Sequence, residues 1–370
     1  MSEQISTIEV ERPRETTSRP KPLRIAQIAP LYESVPPKLY GGTERVVSYL
    51  TEELVRRGNE VTLFASGDSV TSAKLQSGYP KALRLENLTQ VASNGMGLHF
   101  PMLSEVFDHA DDFDIIHAHL DYWTFAFARL VTTPTLTTLH GRLDLEELYP
   151  IFHSYEDVPL ISISDSQRKP LPSMNWVSTI HHGVPRDNLQ FNPKGGQYLA
   201  FLGRIAPEKR PDLAIQVARK AGIPLKIAAK IDVVDREYFN TVIQPMIDEG
   251  GVEFIGEINE TQKSEFLGNA LALLFTIDWP EPFGLVMIES MACGTPVIAR
   301  RCGSVPEVIR DGVTGFIASE MDEMVAAVKK VETLSREACR EEFERRFSVE
   351  VMAEKYERIY RELIMIWNQH

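Results

Sequence analysis

The sequence predicts an α/β protein with two domains, each built on a parallel β-sheet. Apolar strands alternate with amphipathic helices in two successive series, the first over about 23–181 and the second from 198 onward. This order of strand, loop, helix and strand is typical of parallel sheets that helices cover on both faces. A length of 370 residues also suits two domains. Glycine, proline and asparagine are frequent over 182–196, and we place the domain boundary in this connector.

Composition excludes several classes of protein. No segment approaches the ~20 apolar residues of a membrane span, and the N-terminal region lacks the apolar core of a signal peptide. Three cysteines do not make a disulfide framework in a chain of this length, which fits a reducing cytoplasm. The net charge of −13 disfavours nucleic acid and gives no general attraction to an anionic membrane surface. Residues 1–22, which have little to bury, are predicted to form a mobile tail.

The first series begins with a buried strand at Leu23–Pro30 and continues, after a loop, with a helix for which Thr43 is a suitable N-cap. The pair Gly41-Gly42 precedes that helix. Glycines at such a position let the backbone come close to a phosphate or a sugar, but glycine pairs are common in turns, and a flexible turn is the favoured explanation for this pair taken alone. No G-x-G-x-x-G follows the strand, which disfavours a nicotinamide-dependent dehydrogenase.

Histidines occur in the next strands of this series. His117 and His119 alternate onto one face of the strand at 113–119, which suggests a metal site, but no third ligand with a recognisable spacing follows them. Packing or hydrogen bonding at a strand end is therefore the favoured role. The strand Pro134–Leu139 delivers His140 to its carboxyl end, the edge at which open α/β sheets bind ligands. His140 is thus the better candidate for a functional histidine.

The second series opens with a strand at Tyr198–Arg204, and Pro207 suits the first position of the following helix. This assignment places Lys209 and Arg210 in the first helical turn, where each cation opposes the helix dipole by roughly 0.3–1 kcal/mol. A bound anion, with Arg204 as a second cation, would explain the arrangement. A solvated charged turn is the alternative.

The segment Trp279–Ser290 places two carboxylates around one helix start. Because a residue before proline avoids the helical region, Glu281 should lie on a loop, and the apolar periodicity predicts a helix from Phe283 to about Gly294 that carries Glu289. The unpaired N–H groups of Phe283, Gly284 and Leu285 would then point toward an anion. Carboxylates for hydroxyls and amides for phosphate make a plausible nucleotide-sugar site. An ordinary helix with an acidic first turn and a solvated Glu289 is the alternative.

Four motifs occur in a fixed order along the chain: Gly41-Gly42-x-Glu44, His140-Gly141, Leu202-Gly203-Arg204-x-x-x-Glu208-Lys209, and Glu281-Pro282-Phe283-Gly284-Leu285-x-x-x-Glu289. In combination they resemble the family-4 retaining glycosyltransferases of GT-B fold, over about 23–365. The resemblance implies two Rossmann-like domains that face each other across a cleft. An acceptor domain would span 23–185 and a nucleotide-sugar domain 196–348. The apolar C-terminal segment 349–370 would cross back and complete the first domain.

The resemblance also implies a role for each matching residue. Arg204 and Lys209 would clamp the diphosphate with the amides of Gly284 and Leu285, next to Phe283. Glu289 would bind the ribose, and Glu281 would bind hydroxyls of the donor sugar. The backbone around Ile258 would contact the nucleobase, Gly42 would approach the sugar phosphate, and His140 would contact the sugar near the reacting carbon. His140 and Glu281 are therefore the catalytic candidates.

The activity that follows is transfer of a hexose from a nucleotide sugar to a hydroxyl, with retention of configuration. Two cations and a helix start would stabilise the departing diphosphate, so neither a metal nor another cofactor is expected. UDP-glucose or another UDP-hexose is the favoured donor over GDP-mannose. The acceptor, whether a sugar, a glycan, a lipid-linked compound or a small molecule, has no motif that identifies it. The alternatives are an epimerase of the same fold, a phosphorylase, whose cofactor lysine we cannot identify, and a non-catalytic nucleotide-sugar-binding protein.

Overall fold

Two parallel β-sheets form the framework of the computed structural model, which describes residues 21–38, 41–86 and 92–369. The predicted tail lies outside these residues except for its last two positions. The first sheet has seven strands and the second has six. In chain order the strands are β1 (Arg24–Ile28), β2 (Glu60–Ser66), β3 (Lys74–Tyr79), β4 (Ile115–Ala118), β5 (Thr135–Thr138), β6 (Leu160–Ser162), β7 (Trp176–Thr179), β8 (Tyr198–Arg204), β9 (Leu225–Lys230), β10 (Val252–Gly256), β11 (Ala270–Phe275), β12 (Val297–Arg300) and β13 (Gly315–Ala318).

The strand order is the same in principle in both sheets. The first sheet runs β3-β2-β1-β4-β5-β6-β7 and the second runs β10-β9-β8-β11-β12-β13. In the first sheet β1 lies between β2 and β4, and in the second sheet β8 lies between β9 and β11. Each sheet therefore extends first to one side of its first strand and then to the other, as in doubly wound folds. The loops at the carboxyl ends of all strands in a sheet therefore gather at one edge. This confirms the predicted architecture of two Rossmann-like sheets.

Helices cover the sheets and connect their strands. They are α1 (Gly42–Arg56), α2 (Ala92–Gly97), α3 (Phe100–Asp108), α4 (Phe125–Ala128), α5 (Tyr149–Ser154), α6 (Asp165–Arg168), α7 (Pro211–Ala221), α8 (Arg236–Tyr238), α9 (Gln244–Asp248), α10 (Glu260–Gly268), α11 (Leu285–Ala292), α12 (Val305–Val308), α13 (Met321–Val328), α14 (Arg336–Arg346) and α15 (Val349–Trp367). Within the described residues, none of these helices combines the length and the apolar character that crossing a membrane requires.

The last helix packs on the first sheet, as the sequence predicted. Tyr356 and Tyr360 of α15 are buried, and the Tyr360 hydroxyl accepts a hydrogen bond of 3.1 Å from Gln27 in β1. The chain thus crosses between the two sheets twice, once after β7 and once before α15. Hydrogen bonds join the two crossing segments. Val184 N donates to Phe347 O at 2.9 Å, and Val349 N donates to Val184 O at 3.0 Å.

Several predicted boundaries are correct, but the predicted starts of α1, α7 and α11 are not. The strand Tyr198–Arg204 has the predicted bounds, and the helix Val349–Trp367 begins where the predicted C-terminal segment 349–370 begins. The helix predicted from Pro207 begins instead at Pro211, after a short 3-10 turn over Pro207–Lys209. Arg210, the residue before Pro211, has a left-handed φ of 54°, which interrupts the helical backbone between the 3-10 turn and α7. Lys209 therefore precedes the helix rather than lying in its first turn.

The helix predicted from Phe283 begins two residues later, at Leu285. Gly284 has a left-handed φ of 82°, which interrupts the helical backbone at that point. The N–H of Phe283 is therefore not one of the helix-start groups, contrary to the prediction. Thr43 is likewise not an N-cap, because α1 already begins at Gly42. The edge strand β3 has no counterpart among the strands predicted from the sequence.

Candidate active site

A cavity of about 430 Å³ lies between the carboxyl edges of the two sheets. Loops that follow β1, β5 and β7 line it from one side, and loops that follow β8, β9, β10 and β11 line it from the other. All of the site residues predicted from the sequence line this cavity: Gly42, His140, Arg204, Lys209, Ile258, Glu281, Phe283, Gly284, Leu285 and Glu289. The structure thus brings together, in one cleft, motifs that are up to about 250 positions apart in the chain.

The loop that carries Glu281 is fixed by the segment after β12. Ser304 N donates to Glu281 O at 3.1 Å, and Ser304 Oγ donates to Phe283 O at 2.7 Å. A Cβ atom at Gly303 would lie only 2.4 Å from Glu281 O. Glycine at 303 therefore permits the two backbones to come this close, and the Glu281 carboxylate is held on a rigid support.

Lys209 and Glu281, predicted to bind different parts of the donor, contact each other directly. Lys209 Nζ donates to Glu281 Oε2, and Trp279 Nε1 donates to the same oxygen at 2.9 Å. Lys209 Nζ also lies 4.9 Å from the centroid of the Trp279 ring, within the range of a cation–π interaction. The charge of one residue therefore sets the electrostatic environment of the other.

Arg204, at the end of β8, is surrounded by acidic residues. It contacts Glu208 and donates through Nη1 to Asp235 Oδ2 at 3.0 Å. Asp232 Oδ2 lies 3.7 Å from the same nitrogen. These contacts hold the guanidinium in a fixed orientation at the cleft, so a diphosphate would meet a cation that is already positioned.

Glu289 is buried in α11 and is not the solvated residue of the alternative interpretation. Its side chain is only 4% exposed and pairs with Lys263 Nζ at 2.7 Å. Lys263 also contacts Glu260 Oε1 at 2.5 Å. Glu260 in turn meets α1 of the other half, with Arg45 Nη1 at 2.9 Å and the Tyr49 hydroxyl at 3.0 Å. An ionic network therefore connects the predicted ribose ligand with the opposite side of the cleft.

The N-terminus of α11 faces the cavity through Gly284, Leu285 and Val286. The first N–H groups of a helix have no acceptor within the helix and favour a bound anion. A Cβ atom at Gly284 would lie 2.8 Å from Phe275 and 2.9 Å from the end of Met287. The left-handed backbone and this tight packing both require glycine at the point where the helix meets the cleft.

His140 belongs to a cluster of histidine rings at the opposite side of the cleft. Its Nε2 lies 2.8 Å from Nδ1 of His119, and its ring stacks on that of His182, with centroids 5.2 Å apart. Burial lowers the pKa of His140 to about 3, and the pKa values of His119 and His182 lie well below the ordinary value for the same reason. These rings are therefore neutral at physiological pH.

The start of α1 brings a further carboxyl group to the cleft. Gly41 contacts Pro37 so closely that an added Cβ would lie 2.8 Å from its side chain, and Gly42 opens the helix. Glu44, in the first turn, lines the cavity although it is buried. Burial raises the pKa of Glu44 to about 7.

The strand β10 ends at the part of the cavity where the nucleobase was predicted. Gly256 has a left-handed φ of 82°, and Glu257 and Ile258 follow it along the cavity wall. Ile258 is half-buried against the apolar core. This geometry leaves the backbone of 256–258 at the cleft, as the resemblance implied.

Sequence reasoning missed several residues of the cleft. Lys263 and His182 carried no recognisable motif, and Arg84 and Lys230 line the cavity from the ends of other loops. The pairing of Lys263 with Glu289 depends on the packing of α10 against α11, which no local pattern encodes. Over the part of the chain that the structure describes, histidine, cysteine and acidic side chains form no group of three or more suited to hold a metal ion.

Two family models match the chain. Residues 187–348 match the model described as glycosyl transferases group 1. Residues 40–185 match the model of glycosyltransferase family 4. The two matches meet in the connector between the two series of strands and helices. The first covers all six strands of the second sheet, and the second covers β2–β7 of the first sheet.

Curated relatives share sequence with part of the chain. The D-inositol 3-phosphate glycosyltransferase of Mycobacterium marinum is 31% identical over 192 residues, which are 46% of this chain and 41% of the relative. The protein of the same name from Mycolicibacterium smegmatis is 34% identical over 134 residues, which are 35% of this chain and 31% of the relative. The chain therefore spans less than half the length of these relatives.

Solved structures with the same fold cover nearly the whole chain. AviGT4, a glycosyltransferase involved in avilamycin A biosynthesis, is 21% identical, with a TM-score of 0.71 over 93% of this chain and 98% of that one. Anabaena HepE, solved in complex with UDP and glucose, is 16% identical, with a TM-score of 0.71 over 92% of this chain and 100% of that one. At these identities the likeness shows the GT-B fold.

Proposed function

The chain belongs to the glycosyltransferases of family 4, and we propose that it transfers a hexose from a nucleotide sugar to a hydroxyl group of an acceptor. The observation that carries this proposal is the joint placement of the predicted residues in a single cleft. Arg204, Lys209 and the start of α11 present hydrogen-bond donors at one side, with Glu281 beside them. His140 and the start of α1 face them from the other sheet.

The cleft supports departure of a nucleoside diphosphate. As the bond to the sugar breaks, negative charge grows on the phosphate, and fixed donors at that position stabilise the transition state. Arg204 and Lys209 are held in place by Asp235 and Glu281, so little reorganisation is required of them. We propose that these cations and the amides of α11 perform this role without a metal ion.

The donor we propose is a UDP-hexose such as UDP-glucose. HepE, which shares the fold, was solved with UDP and glucose. The backbone at Glu257 and Ile258, which line the cavity, suits recognition of a nucleobase by main-chain groups, and the buried Glu289 suits the two hydroxyls of a ribose. The acceptor hydroxyl would enter from the side of the first sheet. Retention of the anomeric configuration is part of the proposal, because it is what the resemblance to family 4 implies.

Turnover by the purified full chain tests the proposal. The protein is incubated with a panel of UDP- and GDP-hexoses, with and without a panel of sugar, polyol phosphate and lipid-linked acceptors, in excess chelator. We expect release of the nucleoside diphosphate to require an acceptor, and proton NMR to show the product with the anomeric configuration of the donor. Conversion of the donor without an acceptor would indicate an epimerase instead. Loss of activity in chelator and its recovery with magnesium or manganese would contradict metal independence.

A further inference from the structure

A continuous row of buried polar side chains leads from the cleft into the interior of the first sheet. His140 Nε2 lies 2.8 Å from His119 Nδ1, and His119 Nε2 lies 2.8 Å from Gln27 Oε1. Gln27 is fully buried in β1. Its Nε2 donates to the Tyr360 hydroxyl of α15 at 3.1 Å and lies 3.3 Å from His117 Nδ1.

The hydrogen bonds of the row all donate in the same direction, because each neutral imidazole carries one proton and so has one donor and one acceptor nitrogen. The amide oxygen of Gln27 can only accept, so His119 Nε2 must carry the proton of that ring. His119 Nδ1 is then an acceptor, and His140 Nε2 must donate to it. Since the His140 ring is also neutral, its second nitrogen, Nδ1, carries no proton.

The second nitrogen of His140, Nδ1, is the last atom of the row, in a residue that lines the cavity. Nδ1 is buried and has no hydrogen-bond partner among the described residues. His140 and His182 both line the cavity, and the planes of the two stacked rings differ by only 19°. This stacking fixes the orientation of the His140 ring, so the lone pair of Nδ1 has a defined direction.

We propose that Gln27, acting through His119, fixes the tautomer of His140 so that Nδ1 accepts a hydrogen bond from a hydroxyl group of the bound sugar. The sugar as ligand rests on the function proposed above, whereas the tautomer does not. Gln27 and His119 are positioning residues in this account, and His140 is the residue that touches the substrate. The contact selects a hydroxyl that can donate, and it disfavours a fluorine or an ether oxygen at the same place.

The chain of donors also explains why a polar residue stands in the middle of a buried strand. Gln27 is the only link between the His119 ring and the hydroxyl of Tyr360 among the hydrogen bonds of the described residues. If the Gln27 amide were turned by half a rotation, each donor in the row would become an acceptor. His140 Nδ1 would then carry the proton and would donate to the sugar, which is the outcome that an experiment must distinguish.

Ring nitrogen NMR of the full chain, labelled with ¹⁵N-histidine, tests the tautomer without any ligand. We expect His140 to carry its proton on Nε2 between about pH 6 and 8 in the wild-type protein. In Gln27→Met, which removes the acceptor, we expect the Nδ1-protonated tautomer to become populated. Thr133→Val is the matched control, since the buried Thr133 donates to Ala110 O at 2.8 Å and has no contact with this row, and it should leave the His140 signal unchanged. A proton on Nδ1 of wild-type His140 would overturn the proposal, whether or not the variants fold.

Binding of deoxyfluoro analogues of the donor sugar tests the contact with the hydroxyl, and it requires no turnover. We expect one position at which replacing the hydroxyl by fluorine weakens binding to wild type by about tenfold and weakens binding to His140→Ala much less. A donor that binds, but shows no position whose effect depends on His140, would overturn the contact while leaving the proposed function intact. Absence of binding by any nucleotide sugar would overturn the proposed function and, with it, the sugar as ligand, whereas the tautomer would still be decided by NMR.

Discussion

The direct contact between Lys209 and Glu281 makes the two residues a unit. A cation that must bind a diphosphate is oriented by the carboxylate that we expect to hold the sugar. Removal of either residue leaves the other half-buried and without its partner. The free-energy cost of the removal is therefore larger than the energy of the contact itself. Substitutions at this pair should therefore not be additive.

We expect Lys209→Met and Arg204→Met each to weaken the binding of UDP by about 1.5–3 kcal/mol, since each removes a charge-assisted contact with the diphosphate. Isothermal titration calorimetry measures the loss. Lys226→Met is the matched control, because Lys226 pairs with Glu253 away from the cavity. Affinities equal to that of wild type in both cleft variants would show that these cations do not bind the diphosphate.

Glu281→Gln and Glu289→Gln should impair different kinetic constants. The Glu281 carboxylate lies beside Lys209 and would act on a sugar whose positive charge grows toward the transition state, so its loss should reduce kcat. Glu289 would contact only the nucleotide, which is bound alike before and during reaction, so its loss should raise KM for the donor.

Affinity for free UDP separates the two roles. It should fall in the Glu289 variant, and it should hold or rise in the Glu281 variant, where Lys209 is released from its partner. The opposite pattern would mean that the two glutamates have been assigned the wrong roles.

At the level of elements, the sequence predicts the strands better than the helix starts. Strand ends follow from buried apolar runs, and Tyr198–Arg204 was predicted with its observed bounds. The start of α7 was missed although Pro211 marks it, because Pro207 offers the same local signal four residues earlier. The polar edge strand β3, whose residues are mostly part-exposed, carries no alternating apolar pattern.

The candidate site was predictable where one motif carries both the chemistry and its local geometry. Glu281, Glu289 and the start of α11 are of this kind. The partners of these residues were not predictable, because Lys263 comes from another helix and His182 from the connector after β7. Such contacts depend on how two elements pack in space, and a single sequence does not contain that information in its local patterns.

The two crossing segments give a prediction about one glycine. A Cβ atom at Gly183 would lie 2.5 Å from Ser348 O, a backbone atom that cannot easily move. We expect Gly183→Ala to lower the free energy of unfolding by about 1–3 kcal/mol, the usual cost of overpacking. Gly97→Ala, at a position where a Cβ meets nothing within 4 Å, should change it by less than about 0.5 kcal/mol. Equal urea-unfolding curves for both variants would contradict the close packing at this crossing.

For the whole molecule, buried histidines should govern how stability depends on pH. Burial lowers the pKa of five of them: His99 to about 4, His140 to about 3, and His117, His119 and His182 well below the ordinary value. In the unfolded chain these rings titrate near pH 6.5, so below that pH the unfolded state binds protons that the folded state does not. The neutral rings make their full contribution to the free energy of unfolding above about pH 6.5. This contribution decreases as the pH falls, by up to about 1.4 kcal/mol per pH unit for each ring.

Four carboxyl groups act in the opposite direction, because burial raises the pKa values of Glu33, Glu44, Asp121 and Asp235. Burial raises the pKa of Glu44 to about 7 and that of Asp121 to about 6, so their contribution increases as the pH falls through these values. Because the histidines outnumber them, we expect the free energy of unfolding in urea to decrease from about pH 7 to pH 5. The exposed His109 is the control, and His109→Gln should leave the slope unchanged. Constant stability over this range would show that the histidines are not buried as neutral rings.

The central claim is that the cleft between the two sheets is a nucleotide-sugar site. The most direct measurement is the melting temperature of the full chain in excess chelator with a panel of nucleotide sugars, each tested on wild type and on Lys209→Met. A ligand at 100 times its dissociation constant stabilises the folded state by about 2.7 kcal/mol, which such a measurement detects easily. We predict that one UDP-hexose raises the melting temperature of wild type and has a much smaller effect on the variant. If no nucleotide sugar raised it, or if wild type and Lys209→Met responded equally, the claim would be wrong.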